Sequence, residues 1–109
     1  MSYYRISDTI PLESMAPGIK RKVLAYQDNL MLVKVFFEEG SVADMHSHPH
    51  QQVGYIVEGK FEFDISGDKE CLSAGDSFVV PPNVMHGATC LEKGIVIDSF
   101  SPMREDFLK

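Results

Sequence analysis

Several features that would assign this chain to a familiar class are scarce or missing. Only two cysteines occur, Cys71 and Cys90, and they share no closely spaced motif such as CxxC. We therefore expect both thiols to be reduced and to serve as small residues of the core. Basic residues are also few, with 10 lysines and arginines against 16 acidic residues and a net charge of −6. This balance argues against nucleic acid as a partner, because phosphate backbones are bound through clustered positive charge.

No long apolar run is present, which argues against a membrane-spanning segment of about 20 predominantly apolar residues. The N-terminal stretch contains Asp8 and Glu13 and lacks a basic region followed by an apolar one, so it does not resemble a secretory signal. We expect a soluble, cytoplasmic protein with no membrane partner. With 109 residues, of which 44% are hydrophobic and 24% charged, the chain has room for one globular domain with one core.

Turn-forming residues recur at short intervals, among them Gly40, Gly59, Gly75 and the pair Pro81 and Pro82. The segments between them are rich in β-branched and aromatic residues, and none has the periodicity of a long helix. The sequence therefore predicts an all-β sandwich or barrel. The predicted strands cover residues 20–25, 30–37, 52–58, 60–65, 70–72, 77–80, 86–90 and 95–101.

Two of these segments also indicate which faces are buried. Residues 61–65 alternate apolar and polar side chains, which is typical of a strand with one dry and one solvated face. Residues 30–37 are apolar at both parities except for Lys34, so both faces of this strand should be covered. We expect a homodimer interface over the second face. The alternative is that N-terminal residues of the same chain fold over it.

Four side chains able to bind a metal form the strongest local pattern. His46 and His48 lie two residues apart, and Gln52 keeps the same parity, so an extended segment can present all three to one point. His86 comes from a distant segment, which a barrel interior would bring to the same place. Imidazole nitrogens and an amide oxygen suit divalent transition metals. A surface HxH pair that binds no metal is the alternative.

Two glycine-bounded strings contain these residues, GSVADMHSHPHQQVGYIVEG from Gly40 and GDSFVVPPNVMH from Gly75. Their composition and spacing resemble the paired motifs of the cupin superfamily. The resemblance implies an all-β, single-domain cupin, an RmlC-like jelly-roll barrel also described as a double-stranded β-helix. The domain would cover residues 1–109, with the barrel core at about 30–101, N-terminal strands in 1–29 and a C-terminal tail at 102–109.

The resemblance also implies one divalent transition metal per chain, nickel, zinc, iron or manganese. The implied ligands are His46, His48, Gln52 and His86. The chain departs from the common cupin pattern in three places, because Gln52 replaces a glutamate ligand, Asn83 a glycine and Cys90 an asparagine. Neutral ligands leave the charge of a 2+ ion undiminished, which favours an acidic ligand. His50 follows Pro49, and we expect it to lie behind the ligands or to face solvent.

The C-terminal segment GIVIDSFSPMREDFL supplies a second group of candidates. Asp98 shares the parity of Val96 and Phe100, so it points into the barrel if they do, and a buried carboxylate requires a partner or a function. The alternatives are an aspartate at an exposed strand end or one paired with Arg104. Pro102 should end the strand, so we expect Arg104 near the mouth of the barrel, where two parallel N–H groups can bind a carboxylate.

Four segments resemble the KdgF-type pectin-degradation cupins: KRKVLAYQDNLMLVKVFFEEG, HSHPHQQVGYIVEGKFEF, AGDSFVVPPNVMHG and DSFSPMREDFL. This resemblance implies a metal-dependent enzyme that opens 4,5-unsaturated monouronates, derived from pectin or alginate, into linear keto sugar acids. It implies catalytic roles for Asp98, Phe100 and Arg104, and we expect Gln51 to orient water or substrate. The alternatives are a metal-dependent dioxygenase, a sugar-acid isomerase, or a cupin that binds a sugar without catalysis.

Overall fold

The computed structural model describes residues 2–109, which form an antiparallel β structure of eight strands. The strands are β1 (Glu13–Ala16), β2 (Ile19–Gln27), β3 (Leu30–Phe37), β4 (Val42–His46), β5 (Gln51–Ile65), β6 (Asp68–Ser73), β7 (Ser77–Val80) and β8 (His86–Ser101). Two short 3-10 helices, Ser7–Thr9 and Glu105–Leu108, lie outside the strands. No α-helix occurs between residues 2 and 109, and no helix there is long and apolar enough to cross a bilayer. The prediction of an all-β fold is confirmed.

The two longest strands, β5 and β8, hold the structure together. They pair with each other over almost their whole lengths, from Gln51 opposite Ser101 to Ile65 opposite His86. The first half of β5 and the second half of β8 continue into one sheet through β7 on one side and β3, β2 and β1 on the other. The remaining halves continue into a second sheet through β6 and β4. The barrel is therefore built from two sheets that share two strands.

Both long strands bend at glycines that lie against each other. Gly59 has a φ of +92°, which favours glycine, and a Cβ there would lie 2.6 Å from the Cα of Gly94. A Cβ on Gly94 would lie 2.3 Å from the carbonyl oxygen of Glu58. The β5–β8 register shifts repeatedly between Ile56 and Phe61, as expected where bulges bend a sheet. Glycine thus permits the close backbone contact at which one sheet turns into the other.

The predicted strand bounds are confirmed for 30–37 and 77–80. The prediction that 52–58 and 60–65 are separate strands is wrong, as is the separation of 86–90 from 95–101, because the glycines bend the strands without ending them. Strands β1 and β4 were not predicted, since neither contains a clear alternation of apolar and polar side chains.

The core lies between the two sheets. Phe61, Met31 and Ile56 are completely buried, and Cys90 is nearly so. The expectation of a core position is therefore confirmed for Cys90 and wrong for Cys71, which is exposed on β6. Both thiols are free. The alternation predicted for 61–65 is present, with Phe61 and Phe63 buried and Glu62 between them exposed.

The opposite side of β3 remains exposed. Leu32 pairs with Ser99, which pairs with Val53, which in turn pairs with Val79, so these residues form one row across the outer side of the first sheet. We define the outer apolar face as the exposed side chains Leu30, Leu32, Val53, Tyr55 and Val79. Val53 and Val79 are 50% and 53% exposed, so the described residues of the chain leave this face open to solvent.

Candidate metal centre and active site

Three histidines converge at one end of the barrel. His46 ends β4 and His86 begins β8, and the two residues are register partners across these strands. His48 follows in the loop between β4 and β5, and its side chain is buried. One ring nitrogen from each histidine lies within 4.8 Å of those of the other two, so a single ion can contact all three.

Asn83 fixes the two ligand-bearing loops to each other. Its backbone N–H donates a hydrogen bond of 2.8 Å to the carbonyl of His48, and its φ is +66°. Among residues with side chains, asparagine tolerates this left-handed conformation comparatively well. The departure from the glycine of the common motif therefore keeps the backbone geometry that the site requires.

Backbone carbonyls orient all three imidazoles in the same way. Each ring donates its Nδ1 hydrogen to a carbonyl oxygen, from His46 to Asp44 at 2.7 Å, from His48 to His50 at 3.0 Å and from His86 to Val84 at 2.9 Å. In a neutral imidazole the Nε2 atom then carries a lone pair. All three Nε2 atoms are consequently prepared to bind a cation.

The donor set fits a divalent metal. Nε2 of His48 lies 3.0 Å from Oε1 of Gln52, and with the Nδ1 hydrogen already committed both atoms present lone pairs. Nε2 of His86 is buried and has no hydrogen-bond partner among residues 2–109. Burial lowers the pKa of His86 to about 4, and burial together with the charge of Arg104 lowers that of His48, so neither ring is protonated at neutral pH. A cation would bind the two facing lone pairs of His48 and Gln52 and would give Nε2 of His86 a partner. Three imidazoles with an amide oxygen suit a divalent transition metal.

Asp98 is buried beside the candidate ligand Gln52. Val96, Asp98 and Phe100 are all buried, so Asp98 points inward with its two neighbours and does not lie at an exposed strand end. Nε2 of Gln52 donates a hydrogen bond of 2.9 Å to Oδ1 of Asp98. Burial raises the pKa of Asp98 to about 6, against the opposing effects of this hydrogen bond and of the charge of Arg104. A carboxyl group with such a pKa can both donate and accept a proton near neutral pH.

Gly54, the register partner of Asp98, was not singled out in the sequence. A Cβ at this position would lie 2.1 Å from the Phe78 ring and 2.8 Å from Oδ1 of Asp98. Glycine thus leaves the space that the carboxylate and the ring occupy. An isolated glycine within a strand pattern was the available signal, since it often marks a close approach.

Arg104 lies at the same end of the barrel, just beyond β8. Its Nε and Nη2 atoms donate hydrogen bonds of 3.1 and 2.8 Å to the two carboxylate oxygens of Asp106. Its guanidinium carbon lies 5.1 Å from the ring centroid of Phe100 and 4.2 Å from that of Phe107. Arg104 thus pairs with Asp106 and not with Asp98. No local sequence pattern predicts a role for Asp106 or Phe107.

A cavity of about 240 Å³ connects these groups. The polar and charged side chains that line it are Asp44, His46, Gln52, His86, Asp98 and Arg104, and the remaining wall, which includes Phe100, is largely apolar. The volume is below the roughly 300–1,000 Å³ typical of small-molecule sites, so it suits a small ligand. Gln51 is exposed and does not line the cavity, because neighbouring strand residues point to opposite faces. His50 is half-buried behind His48, as expected.

Comparisons with known proteins agree with this geometry. Residues 33–97 match the Cupin domain family. The pectin degradation protein KdgF of Dickeya dadantii is 44% identical over 110 residues, with 99% of this chain and 100% of the relative covered. The crystal structure of an RmlC-like cupin from Shewanella frigidimarina is 44% identical, with a TM-score of 0.93 and coverage of 98% and 96%. The structure of KdgF from Halomonas sp. is 43% identical, with a TM-score of 0.92 and coverage of 98% and 99%.

Proposed function

Because the chain belongs to the cupin family and its KdgF relatives match it over almost its whole length, we propose that it opens 4,5-unsaturated monouronates from pectin or alginate. The products are linear keto sugar acids, and the catalyst is the single cupin domain of residues 1–109. One observation carries the proposal most directly. Asp98 is a buried carboxyl group that contacts a candidate metal ligand and faces a cavity shared with an arginine.

The implied metal supplies electrostatic stabilisation. When bound by His46, His48, Gln52 and His86, a divalent ion contributes positive charge that stabilises an acidic substrate and the negative charge that develops on oxygen. Since all four ligands are neutral, the ligands themselves do not reduce this charge. Nickel, zinc, iron and manganese all accept such ligands, and metal supply selects among them.

Asp98 moves the proton. Its raised pKa, about 6, leaves roughly a tenth of the Asp98 carboxyl groups protonated at pH 7, so Asp98 can donate a proton to C4 of the cyclic enol ether. Water then adds at C5, and Asp98 takes up the proton that the water releases. In the collapse of the resulting hemiketal the C5 hydroxyl loses its proton and the ring oxygen gains one as its bond to C5 breaks. This leaves a ketone at C5 and two hydroxyls on C1, which is the hydrate of an aldehyde, and the ring is open. The catalyst ends in its starting protonation state.

Arg104 and Phe100 bind the substrate. Asp106 uses Nε and one N–H of Nη2, so Nη1 of Arg104 remains able to donate to the substrate carboxylate. The Phe100 ring, buried on the cavity wall, packs against the sugar. Gln51 is not included in this mechanism, because its side chain is exposed on the other face of β5.

The direct test follows the ultraviolet absorbance of the conjugated double bond in freshly released unsaturated monouronates. We expect the metal-loaded protein to accelerate its loss and a chelator to abolish the acceleration. A rate equal to that of spontaneous opening would overturn the proposal. Consumption of oxygen with ferrous iron alone would favour a dioxygenase, and tight sugar binding without turnover would favour a binding protein.

We also propose that the protein is a homodimer in the cytoplasm. The outer apolar face supports the dimer, because large exposed apolar patches on soluble proteins usually mark interaction sites. The two free cysteines support a reducing compartment.

A further inference from the structure

The ring of Phe107, in the 3-10 helix Glu105–Leu108, contacts two guanidinium groups. The guanidinium carbon of Arg21, on β2, lies 3.8 Å from the ring centroid, and that of Arg104 lies 4.2 Å from it. The ring also meets Phe100 edge to face, with centroids 5.7 Å apart and an interplanar angle of 85°. Phe107 is half-buried and lines the cavity. It therefore links an early strand of the barrel to the cavity's arginine.

Each of these arginines also donates hydrogen bonds to a carboxylate. Nε of Arg21 donates to Glu13 on β1 at 3.2 Å, while Asp106 accepts two hydrogen bonds from Arg104. Both arginine side chains are largely buried, with 16% and 12% exposed. The contacts thus run from β1 through β2 and the C-terminal helix to the guanidinium that faces the cavity.

We propose that Phe107 is a positioning residue that holds the Arg104 guanidinium at the cavity in the orientation that receives a carboxylate. This inference rests on the proposed function, in which Arg104 binds the acidic group of the substrate. A long arginine side chain loses much rotational freedom when it binds a ligand. The stacking on Phe107 and the pairing with Asp106 remove that freedom beforehand, so a carboxylate binds without the cost of ordering the arginine.

The test compares Phe107→Leu with Phe107→Tyr. Leucine fills much of the same space but has no aromatic face for the two guanidinium groups, whereas tyrosine keeps the face. We expect Phe107→Leu to raise KM about 3- to 30-fold with kcat nearly unchanged and with the same metal content. Phe107→Tyr should stay close to the wild type. Leu108→Ala, an exposed position on the same helix, is the matched control and should leave KM unchanged.

A double-mutant cycle separates positioning from simple packing. If Phe107 acts through Arg104, Phe107→Leu in an Arg104→Ala background should not lower kcat/KM further. The same fold-change in both backgrounds would overturn the inference, as would an unchanged KM in Phe107→Leu. Should Phe107→Leu fail to fold, Phe107→Met, which also lacks an aromatic face, replaces it and should give the same increase in KM and the same non-additivity.

Crystal structures of the wild type and of Phe107→Leu, compared at the Arg104 guanidinium, test the inference without any substrate. We expect the Arg104 guanidinium to leave its position beside Phe100 in the variant. If it keeps that position, the inference fails even if the protein opens uronates. If the wild type does not open uronates but the guanidinium moves, the proposed function fails and the positioning role stands.

Discussion

At the scale of single residues, Gln52 joins the candidate metal centre to the candidate acid. Its Oε1 atom faces Nε2 of His48, while its amide donates to Asp98. A glutamate at this position, the common cupin ligand, would have no hydrogen to donate when ionised and would place a second negative charge beside a buried one. The choice of glutamine over glutamate is therefore explained by Asp98 as much as by the metal.

The role of Asp98 leads to the first prediction. Asp98→Asn keeps the shape of the side chain but removes the proton donor, so turnover should fall by roughly 10² to 10⁴. Metal content, measured by elemental analysis, should be retained, because Asp98 is not one of the four candidate ligands. Turnover close to that of the wild type would contradict the assignment.

The second prediction concerns the left-handed backbone at Asn83. Asn83→Ala should lower the free energy of unfolding by about 1 kcal/mol, since a Cβ without a compensating polar group disfavours a φ of +66°. Asn83→Gly is the matched control and should be nearly neutral. Denaturant titration of both variants measures the difference. An equal free energy of unfolding for Asn83→Ala and Asn83→Gly would show that backbone strain at position 83 does not affect stability.

The third prediction distinguishes the two thiols. Burial, with a contribution from the nearby charge of Glu39, raises the pKa of Cys90, so this thiol stays protonated and shielded from reagents. Cys71 is exposed. In the native protein an alkylating reagent should label Cys71 alone, and Cys90 should react only after unfolding, as mass spectrometry of peptides would show. Equal labelling rates in the native protein would contradict the described packing.

At the scale of the elements, the two glycine bends are the most constrained points of the fold. Gly94→Ala should destabilise the protein by about 1–3 kcal/mol or more, because the new methyl group would collide with the backbone of β5. Leu91→Ala, at an exposed position of the same strand, should change the stability by at most about 0.5 kcal/mol. Unfolding in denaturant compares the two variants. A tolerated Gly94→Ala would mean that the strands can separate here.

The same elements show how far the sequence could predict the structure. Strand parity was sufficient to place Asp98 and Phe100 on the same face, because the side-chain period of two holds along a strand between bends. At Gly59 and Gly94 the sequence predicts strand ends where the structure has bends, since glycine weakens a strand and also permits a close crossing. Gly54 and Phe107 were missed for another reason. Their importance depends on contacts with residues far away in the chain, and no local pattern records such contacts.

At the scale of the whole molecule, the outer apolar face leads to the prediction about assembly. The wild type should sediment as a dimer at micromolar concentration, and Val53→Glu should sediment as a monomer because it places a charge at the centre of this face. Glu62→Lys, an exposed position in the second sheet, is the matched control and should remain dimeric. A wild type that sediments only as a monomer would contradict the homodimer.

The carbonyl groups that orient the three histidines belong to the folded chain itself, as does the hydrogen bond between Asn83 and His48. The contacts that orient the candidate donor atoms are therefore contacts of the fold itself. This differs from small metal-dependent domains, in which the unloaded chain is unfolded. For this barrel we expect folding to need no ion, so that an ion taken up afterwards meets donor atoms that are already oriented.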